Sequence, residues 1–382
     1  MVDRTVGGTL RPELEAALAS CFDAVIAQDS WPRATEALAA AMGALGSCFH
    51  MFGAGERRLE APMSIRYREM LAEFLAGGWG DHDVRGQRGW PLARKGPRVI
   101  LENDISTPEE RARLPIYNEL FRRHDLETFA GLTFRANGRL WAFNIVRSQA
   151  MGDYGFDTAQ QLSWLAPQVS RLICFGEVMS QAAAQGAMAT LERSATGAIL
   201  LDWNGRVLEM NEAARHMMGS GLTVRAGRVC ADWPGAQPAL EALVASAVHD
   251  DTGHLRSGLG PIAAPKPSGG MLLVDAVTTG SRMGGAFGRY GALLMVTDPG
   301  RRHSVSRTLL RRLYGLTNRE AEVAERIGAG EGAGDIAERL ELKTSSVRQL
   351  IKAVLEKTGT ARQSELAALV SRLPASPRDG RG

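Results

Sequence analysis

The strongest constraint on this chain is a pattern of four short helices near its carboxyl end, over residues 316–370. Thr317-Asn318-Arg319-Glu320 fits a capping box, in which the Thr317 side chain accepts from the N–H of Glu320 and the Glu320 carboxylate reaches back. A helix is therefore predicted to begin there. Val323 and Ile327 give this helix an apolar face, and the glycines of residues 328–334 should end it.

Three further helices follow at short intervals. Ile336, Ala337 and Leu340 supply the buried side of a short second helix, and Thr344 or Ser345 can cap a third. The fourth is marked by its apolar residues, Leu366, Leu369 and Val370. The spacing predicts a compact all-α domain over residues 313–373.

The third helix of this pattern has two chemically different sides when its residues are placed 100° apart. The apolar side consists of Val347, Ile351, Val354 and Leu355. The polar side consists of Ser345, Arg348, Gln349 and Lys352. A solvated surface stripe is one interpretation of the polar side, since most charged stripes are of that kind.

The other interpretation is a helix that enters the major groove of DNA. Arg348 can bind guanine through two hydrogen bonds, Gln349 can bind adenine, and Lys352 can neutralise a phosphate. Lys357 lies to the side of this face and suits a flanking phosphate better than a base edge. Helix order, capping box and charge together favour this interpretation.

Charge is distributed unevenly along the 382 residues. Residues 301–382 hold 16 Lys and Arg against 10 Asp and Glu, a balance of +6. The chain as a whole has 45 against 42, which leaves 29 against 32, or −3, for residues 1–300. The basic end points to an acidic partner, and nucleic acid is the first candidate.

The same residues resemble the LuxR-type helix-turn-helix family, from LTNRE at 316–320 through DIAERL at 335–340 to SVRQLIKAVLEKTG at 346–359. The resemblance implies double-stranded DNA as partner, and it also makes RNA polymerase a partner to consider. Ser346 takes a place in the recognition helix of that family, and Arg348, Lys352 and Lys357 match basic positions. Leu350 replaces the usual histidine, which changes the expected operator.

Residues 190–298 begin with a strand at 198–201, a turn at Asp202-Trp203-Asn204-Gly205, and a returning strand at 206–210. Asn211 then stands where a helix N-cap belongs. Two later strands, 271–278 and 292–297, flank a glycine-rich stretch. This order resembles the start of a PAS domain, which implies an antiparallel sheet and a sensory role.

Residues 1–180 predict an α+β unit that resembles a GAF-type domain or the ligand-binding half of LuxR regulators. A hairpin is expected at Asn137-Gly138 between runs 128–134 and 139–147. Helical segments are expected at 11–45, with an interruption near Trp31-Pro32, at 107–124 and from 158 onward. Apolar residues in the last helix either pair with a second subunit or pack on their own sheet. They are Leu162, Leu165, Val169, Leu172, Phe175 or Gly176, and Met179.

Aromatic residues gather in this first unit, and such residues either form a core or line an apolar ligand pocket. The candidates for a ligand site are Tyr67, Trp79, Trp90, Trp141 and Phe143. A small-molecule effector is therefore a candidate ligand of this unit, and no cofactor is predicted.

Catalytic and metal sites are not predicted. The four cysteines are far apart and form no CxxC pair, and HExxH, GxSxG and P-loop patterns are absent from the sequence. No window approaches about 18 consecutive apolar residues, and the N-terminus lacks the order of a signal peptide. We therefore expect a cytoplasmic protein that is not an enzyme and does not bind a membrane.

The predicted architecture is multidomain α+β: a GAF-like and a PAS-like antiparallel-sheet domain followed by an all-α four-helix LuxR-type helix-turn-helix domain. The expected boundaries are a sensory domain at 1–180, a PAS-like domain at 190–298, a linker at 299–312, the helix-turn-helix domain at 313–373 and a tail at 374–382. The functional hypothesis is a homodimeric, signal-controlled transcription regulator. The alternative is a sensory adaptor that acts through protein contacts without reading DNA.

Overall fold

The structure is a computed structural model that describes residues 6–51, 61–249, 260–278, 285, 287–300 and 305–373. The predicted tail at 374–382 lies outside these residues. The chain divides into two compact units. Residues 1–184, 248–254 and 278–291 form the first, and the remaining residues form the second. Mixed α+β structure with antiparallel sheets is confirmed.

The first unit is built on a four-stranded antiparallel sheet of order β1-β4-β3-β2. Its strands are β1 (Gly46–Met51), β2 (Arg98–Leu101), β3 (Thr128–Ala136) and β4 (Arg139–Arg147). The predicted hairpin is confirmed, because Asn137 and Gly138 join β3 to β4 with φ of 47° and 75°. Alternation along β4 places Trp141, Phe143 and Ile145 on one face of the sheet.

Three long helices cover that face: α1 (Val6–Ile26), α2 (Trp31–Ala41) and α7 (Phe156–Arg193). The chain breaks between α1 and α2 because Trp31-Pro32 starts a new helix, where a proline needs no N–H partner. On α7, Leu162, Leu165 and Leu172 are fully buried in the core of the first unit. Over these turns the apolar stripe of α7 packs on its own sheet. Phe175 and Met179, further along the same stripe, are exposed, so pairing with a second subunit stays a prediction for that part of the helix.

Shorter helices cover the opposite face: α3 (Ile65–Ala76), α4 (Val84–Arg94), α5 (Glu102–Ile105) and α6 (Pro108–Arg111). The helical structure expected over 107–124 is found, but it is divided into separate segments. After α6 the chain forms a π-helix over Ile116–Phe121 and a 3-10 turn over Arg122–His124. Pro115 explains the interruption, since its ring cannot continue the hydrogen-bond ladder of a preceding helix.

The second unit has a five-stranded sheet of order β6-β5-β11-β10-β9. The strands are β5 (Gly197–Asp202), β6 (Val207–Met210), β9 (Ile262–Pro265), β10 (Met271–Thr278) and β11 (Tyr290–Thr297), while β7 (Leu222–Arg225) and β8 (Arg228–Ala231) form a separate hairpin. Helices α8 (Glu212–Met217) and α9 (Gln237–His249) lie between these strands in the sequence. The Asn211 cap is confirmed, because its side chain accepts from the Ala214 N–H at 2.8 Å.

The carboxyl end forms five helices: α10 (Arg307–Tyr314), α11 (Asn318–Gly328), α12 (Ala333–Arg339), α13 (Thr344–Thr358) and α14 (Gln363–Ser371). We expected a linker over 299–312, whereas α10 occupies part of it. Ser306 caps α10, Leu310 is fully buried, and Arg307 contacts Glu322 and Glu325 of α11. Because α10 joins the same apolar core as α11 to α14, it belongs to that domain.

Three glycines at the connection between α11 and α12 have different roles in packing and in backbone conformation. A Cβ added at Gly328 would lie 2.3 Å from Val370 Cγ1, so this glycine lets α11 and α14 approach closely. Gly330 has a φ of 82° and turns the chain after α11. Gly334 lies inside α12 with nothing within 4 Å of an added Cβ. The glycines therefore do more than end α11, because Gly328 also allows the close contact with α14.

A matched pair of substitutions tests this difference. Gly334→Ala should stabilise α12 by about 0.5–1 kcal/mol, because alanine loses less conformational entropy in a helix. Gly328→Ala should destabilise the same domain by about 1–3 kcal/mol through overpacking against Val370. Hydrogen exchange of the α11 and α14 amides reports both changes. Equal effects of the two variants would contradict the close approach at Gly328.

Candidate nucleic-acid interface

Helix α13 is held in place by its apolar side. Val347 and Val354 are fully buried and Ile351 is 3% exposed, within the core shared by α11, α12 and α14. Fully burying a side chain of this size is worth about 1.5–3 kcal/mol. These residues therefore fix the rotation of α13 about its own axis and determine which of its side chains face outward.

The outward face carries the residues predicted to contact DNA. Ser345, Arg348, Gln349 and Lys352 are exposed, and Ser346 at their side is half-buried. Arg348 and Gln349 form no side-chain hydrogen bond or ion pair with any residue that the structure describes. Lys352 is 81% exposed and has a carboxylate oxygen of Glu356 at 4.0 Å, a distance at which an exposed pair contributes little. These groups are free to bind an external partner.

The start of α13 differs from the expected one. The N-cap position is occupied by Lys343, which makes no side-chain capping bond, and the Ser346 N–H donates to the Lys343 carbonyl at 2.9 Å. Neither Thr344 nor Ser345 caps the helix, because both already lie inside its first turn. Their hydroxyl groups remain on the exposed side.

Lys357 has an intramolecular partner that the sequence did not indicate. Its Nζ donates to Glu320 Oε2 at 2.6 Å, and the same carboxylate oxygen accepts from the Thr317 N–H at 2.7 Å. The Glu320 side chain is 9% exposed and that of Lys357 39%. The capping box of α11 and the last turn of α13 thus share one carboxylate. The phosphate contact predicted for Lys357 stays a prediction, and it would compete with this ion pair.

The surroundings of Glu320 stabilise its charged form. The hydrogen bond from Lys357 and the backbone bond from Thr317 hold the pKa of the Glu320 carboxyl below its usual range. The carboxylate is therefore ionised at neutral pH and acts as an acceptor for both neighbours. The sequence predicted Glu320 only as part of a helix cap, and the structure shows that it also connects α11 to α13.

Two further residues on α13 affect what the helix can bind. Glu356 is 69% exposed and lies one turn beyond Lys352 on the same face. The sequence alone could have indicated this pair, because residues four apart lie on the same face of a helix. Leu350, which stands where the resemblance leads one to expect histidine, is partly buried against the core of the domain. It therefore contributes packing here.

The five candidate ligand residues of the first unit separate into two groups. Trp141 and Phe143 are buried on the face covered by α1, α2 and α7. Tyr67 and Trp79 pack on the opposite face, against the core formed with α3 to α6. Trp90 lies on α4 with its side chain partly buried. The structure does not bring the five residues to one site, so their common role as a ligand site stays a prediction.

A buried ion pair accompanies the second group. Arg85 Nη2 and Glu102 Oε2 lie 2.7 Å apart, with side chains 9% and 1% exposed. Arg85 also donates to the carbonyls of Leu126 and Glu127, and the Tyr117 hydroxyl lies 2.5 Å from Glu102 Oε1. Burial raises the pKa of Tyr117 to about 12. Because both charges are hydrogen-bonded several times, this pair serves to fasten α4 and α5 to the chain entering β3.

Comparison with known proteins identifies the C-terminal domain. Residues 315–370 match the family model described as bacterial regulatory proteins, luxR family. The matched segment contains α11, α12, α13 and all of α14 except its last residue. The chain therefore carries a LuxR-family helix-turn-helix domain at its carboxyl end. This confirms the resemblance found for these residues. No curated protein matches the chain in sequence.

Solved structures show only weak likeness to this chain. The VqsR LBD domain from Pseudomonas aeruginosa is 15% identical with a TM-score of 0.32, and the match covers 42% of this chain and 94% of that one. The N-acylhomoserine-lactone-dependent LuxR family factor CepR2 from Burkholderia cenocepacia is 18% identical, with a TM-score of 0.28 and coverages of 42% and 90%. The Vibrio cholerae VqmA dimer is 17% identical, with a TM-score of 0.20 and coverages of 48% and 85%. These values are too low to transfer a ligand to this chain.

The described residues contain neither a membrane-spanning helix nor a metal-binding cluster. No helix among them is long and apolar enough to cross a membrane. Within the same residues, no group of three or more His, Cys, Asp or Glu side chains is placed to hold a metal ion.

The shared carboxylate gives a pH prediction. The pKa of Glu320 is lower in the folded chain than in the unfolded one, so its contribution to stability is present above about pH 4.3, the ordinary value for glutamate. It is lost as the pH falls through the folded pKa. We expect exchange protection of the α11 amides, corrected for intrinsic rates, to fall more steeply on acidification in the wild type than in Glu320→Gln. The same slope in both proteins would contradict the role given to this carboxylate.

Proposed function

We propose that this chain is a sequence-specific transcriptional regulator that acts as a homodimer and is controlled by a signal sensed in its N-terminal part. Arg348 and Gln349 contact base edges, Ser345 and Ser346 support them, and Lys352 and Lys357 neutralise phosphates. The partner is double-stranded DNA in the cytoplasm, and RNA polymerase is a further partner.

One observation supports DNA binding most directly. In a domain matched to the luxR family, α13 buries Val347, Ile351 and Val354 and leaves Arg348 and Gln349 exposed without a partner among the described residues. A guanidinium and an amide on consecutive residues suit the acceptor and donor patterns of guanine and adenine in the major groove. A solvated surface stripe would not need this combination within such a domain.

A dimeric regulator implies a particular kind of operator. Two copies of α13 related by a two-fold axis would read a roughly palindromic site, with half-sites about 34 Å apart. The last turn of α7 and the chain that follows it are candidates for transmitting a signal, since a helix of 38 residues is a stiff connection.

The sensory role rests on the two antiparallel sheets. The four-stranded sheet covered by helices on both faces supports a GAF-like first domain, and the five-stranded sheet supports a PAS-like second one. In the first domain the buried aromatic residues Trp141 and Phe143 form the more enclosed group of candidate ligand residues. A small molecule is the proposed effector.

The alternative function is a sensory adaptor that uses the same helices to bind protein. Fluorescence anisotropy of the full chain with fluorescent duplex DNA, across a salt series, distinguishes the two. A regulator should bind at low salt and lose affinity linearly on a log–log plot as salt rises, because phosphate binding releases counterions. Absence of duplex affinity at low ionic strength would reject DNA binding and favour the adaptor.

Single substitutions then separate base contacts from phosphate contacts. Arg348→Ala should cost about 1–3 kcal/mol on the operator and relax one base position. Lys352→Ala should weaken all sequences alike and reduce the salt slope by about 1. Arg372→Ala removes the same charge at the end of α14 and serves as the control. Uniform weakening in both α13 variants would remove the reading role of Arg348.

A further inference from the structure

One phenyl ring fills the aromatic core of the first unit from outside its sheet and helices. Phe287 belongs to the first unit and is 2% exposed. Its ring meets Trp31, Phe49 and Trp141 at centroid distances of 5.1, 5.6 and 5.6 Å, with interplanar angles of 79°, 81° and 85°. Edge-to-face contact is favoured between aromatic rings. We call these three residues the aromatic cage.

Helix α7 is shaped to admit this ring. A Cβ added at Gly176 would lie 2.8 Å from Cδ2 of Phe287, a distance that real Cβ atoms essentially never show. Any other residue at 176 would force the ring to shift. Phe143 stands behind the cage, with its ring 4.7 Å from that of Phe49. The cage and Gly176 together form a site of the size of one benzene ring.

Phe287 enters this site on a turn. The Gly288 N–H donates to the Gly285 carbonyl at 2.9 Å, just before β11 begins. All four strands of the first sheet lie between residues 46 and 147, and α1, α2 and α7 also lie outside the turn. The turn that carries Phe287 is therefore not itself part of that sheet or of those helices.

The present occupant leaves one group of the cage unsatisfied. Trp141 Nε1 is buried and has no hydrogen-bond partner among the described residues. A phenyl ring offers this donor no conventional acceptor. Buried donors are nearly always paired, so an occupant that carries an acceptor would suit the cage better than Phe287 does.

We propose that the aromatic cage is a binding site for a small aromatic molecule carrying a hydrogen-bond acceptor, and that Phe287 is its intramolecular occupant. The ligand and the Phe287 ring exclude each other, so binding selects the state in which the ring is withdrawn. The use of such a ligand as a signal for DNA binding rests on the proposed function, whereas the site itself does not.

The test uses the full chain labelled with 5-fluorotryptophan. Of the seven tryptophans, Trp31 and Trp141 belong to the cage and report on its occupancy. Their ¹⁹F resonances are identified as those that disappear in Trp31→Phe and in Trp141→Phe. The probes are benzonitrile, an aromatic ring with an acceptor, and toluene, which has the shape of the Phe287 side chain. Phe287→Ala should vacate the site, and apolar cavities of this kind bind benzene.

We expect benzonitrile to shift both cage resonances saturably in Phe287→Ala, at concentrations at least about tenfold lower than in the wild type, since the competing ring is gone. Toluene should bind the variant more weakly than benzonitrile. The control is Phe175→Ala, which removes a partly exposed ring from α7 at the residue before Gly176. This variant should bind benzonitrile like the wild type.

Several results would overturn the site. One is a folded Phe287→Ala protein without saturable shifts of the cage resonances, and another is a set of shifts spread alike over all tryptophans in variant and wild type. If Phe287→Ala does not fold, Phe287→Leu leaves the cage partly filled and is titrated in the same way; absence of saturable shifts there also rejects the proposal. Anisotropy with duplex DNA on the same samples tests the DNA-binding function separately from the cage. If only the DNA-binding function is wrong, the duplex does not bind while the cage resonances still shift with benzonitrile.

Discussion

Burial of one side of α13 is the interaction on which the functional surface depends. Val347, Ile351 and Val354 occupy the core that α11, α12 and α14 share. Turning the helix about its axis would expose these three side chains and bury Arg348, and an unpaired buried charge is very costly. The outward direction of Arg348 and Gln349 is thus a result of core packing, and no contact of their own is needed to hold it.

The same domain shows how a polar group can add to that constraint. The Glu320 carboxylate closes the first turn of α11 and accepts from the last turn of α13 through Lys357. One ionised group therefore ties the beginning of one helix to the end of another. Because Lys357 is still partly exposed, a phosphate could draw on the same cation, and DNA binding and domain stability would then be linked.

Local chemistry was predictable from the sequence where the partners are close along the chain. The Thr317 capping box, the Asn211 cap and the Asn137-Gly138 hairpin each involve residues within four positions of one another, and the structure confirms all three. The polar and apolar sides of α13 followed from the 3.6-residue period of a helix alone.

The features that sequence reasoning missed depend on residues that are distant in the chain. Lys357 meets a residue 37 positions away, and Tyr67 and Trp141 lie on opposite faces of a sheet whose pairing the pattern did not reveal.

Chain order and unit membership do not coincide in this protein. The first unit takes most of its residues from 1–184, yet its aromatic core is completed by a side chain from residue 287, more than a hundred positions later. A polypeptide cut after α7 would keep every strand of the first sheet and lose one ring from its interior. Such a fragment would leave Trp31, Phe49 and Trp141 without the ring that they contact in the full chain. A fragment cut at the apparent boundary would therefore differ in its interior from the same unit within the whole protein.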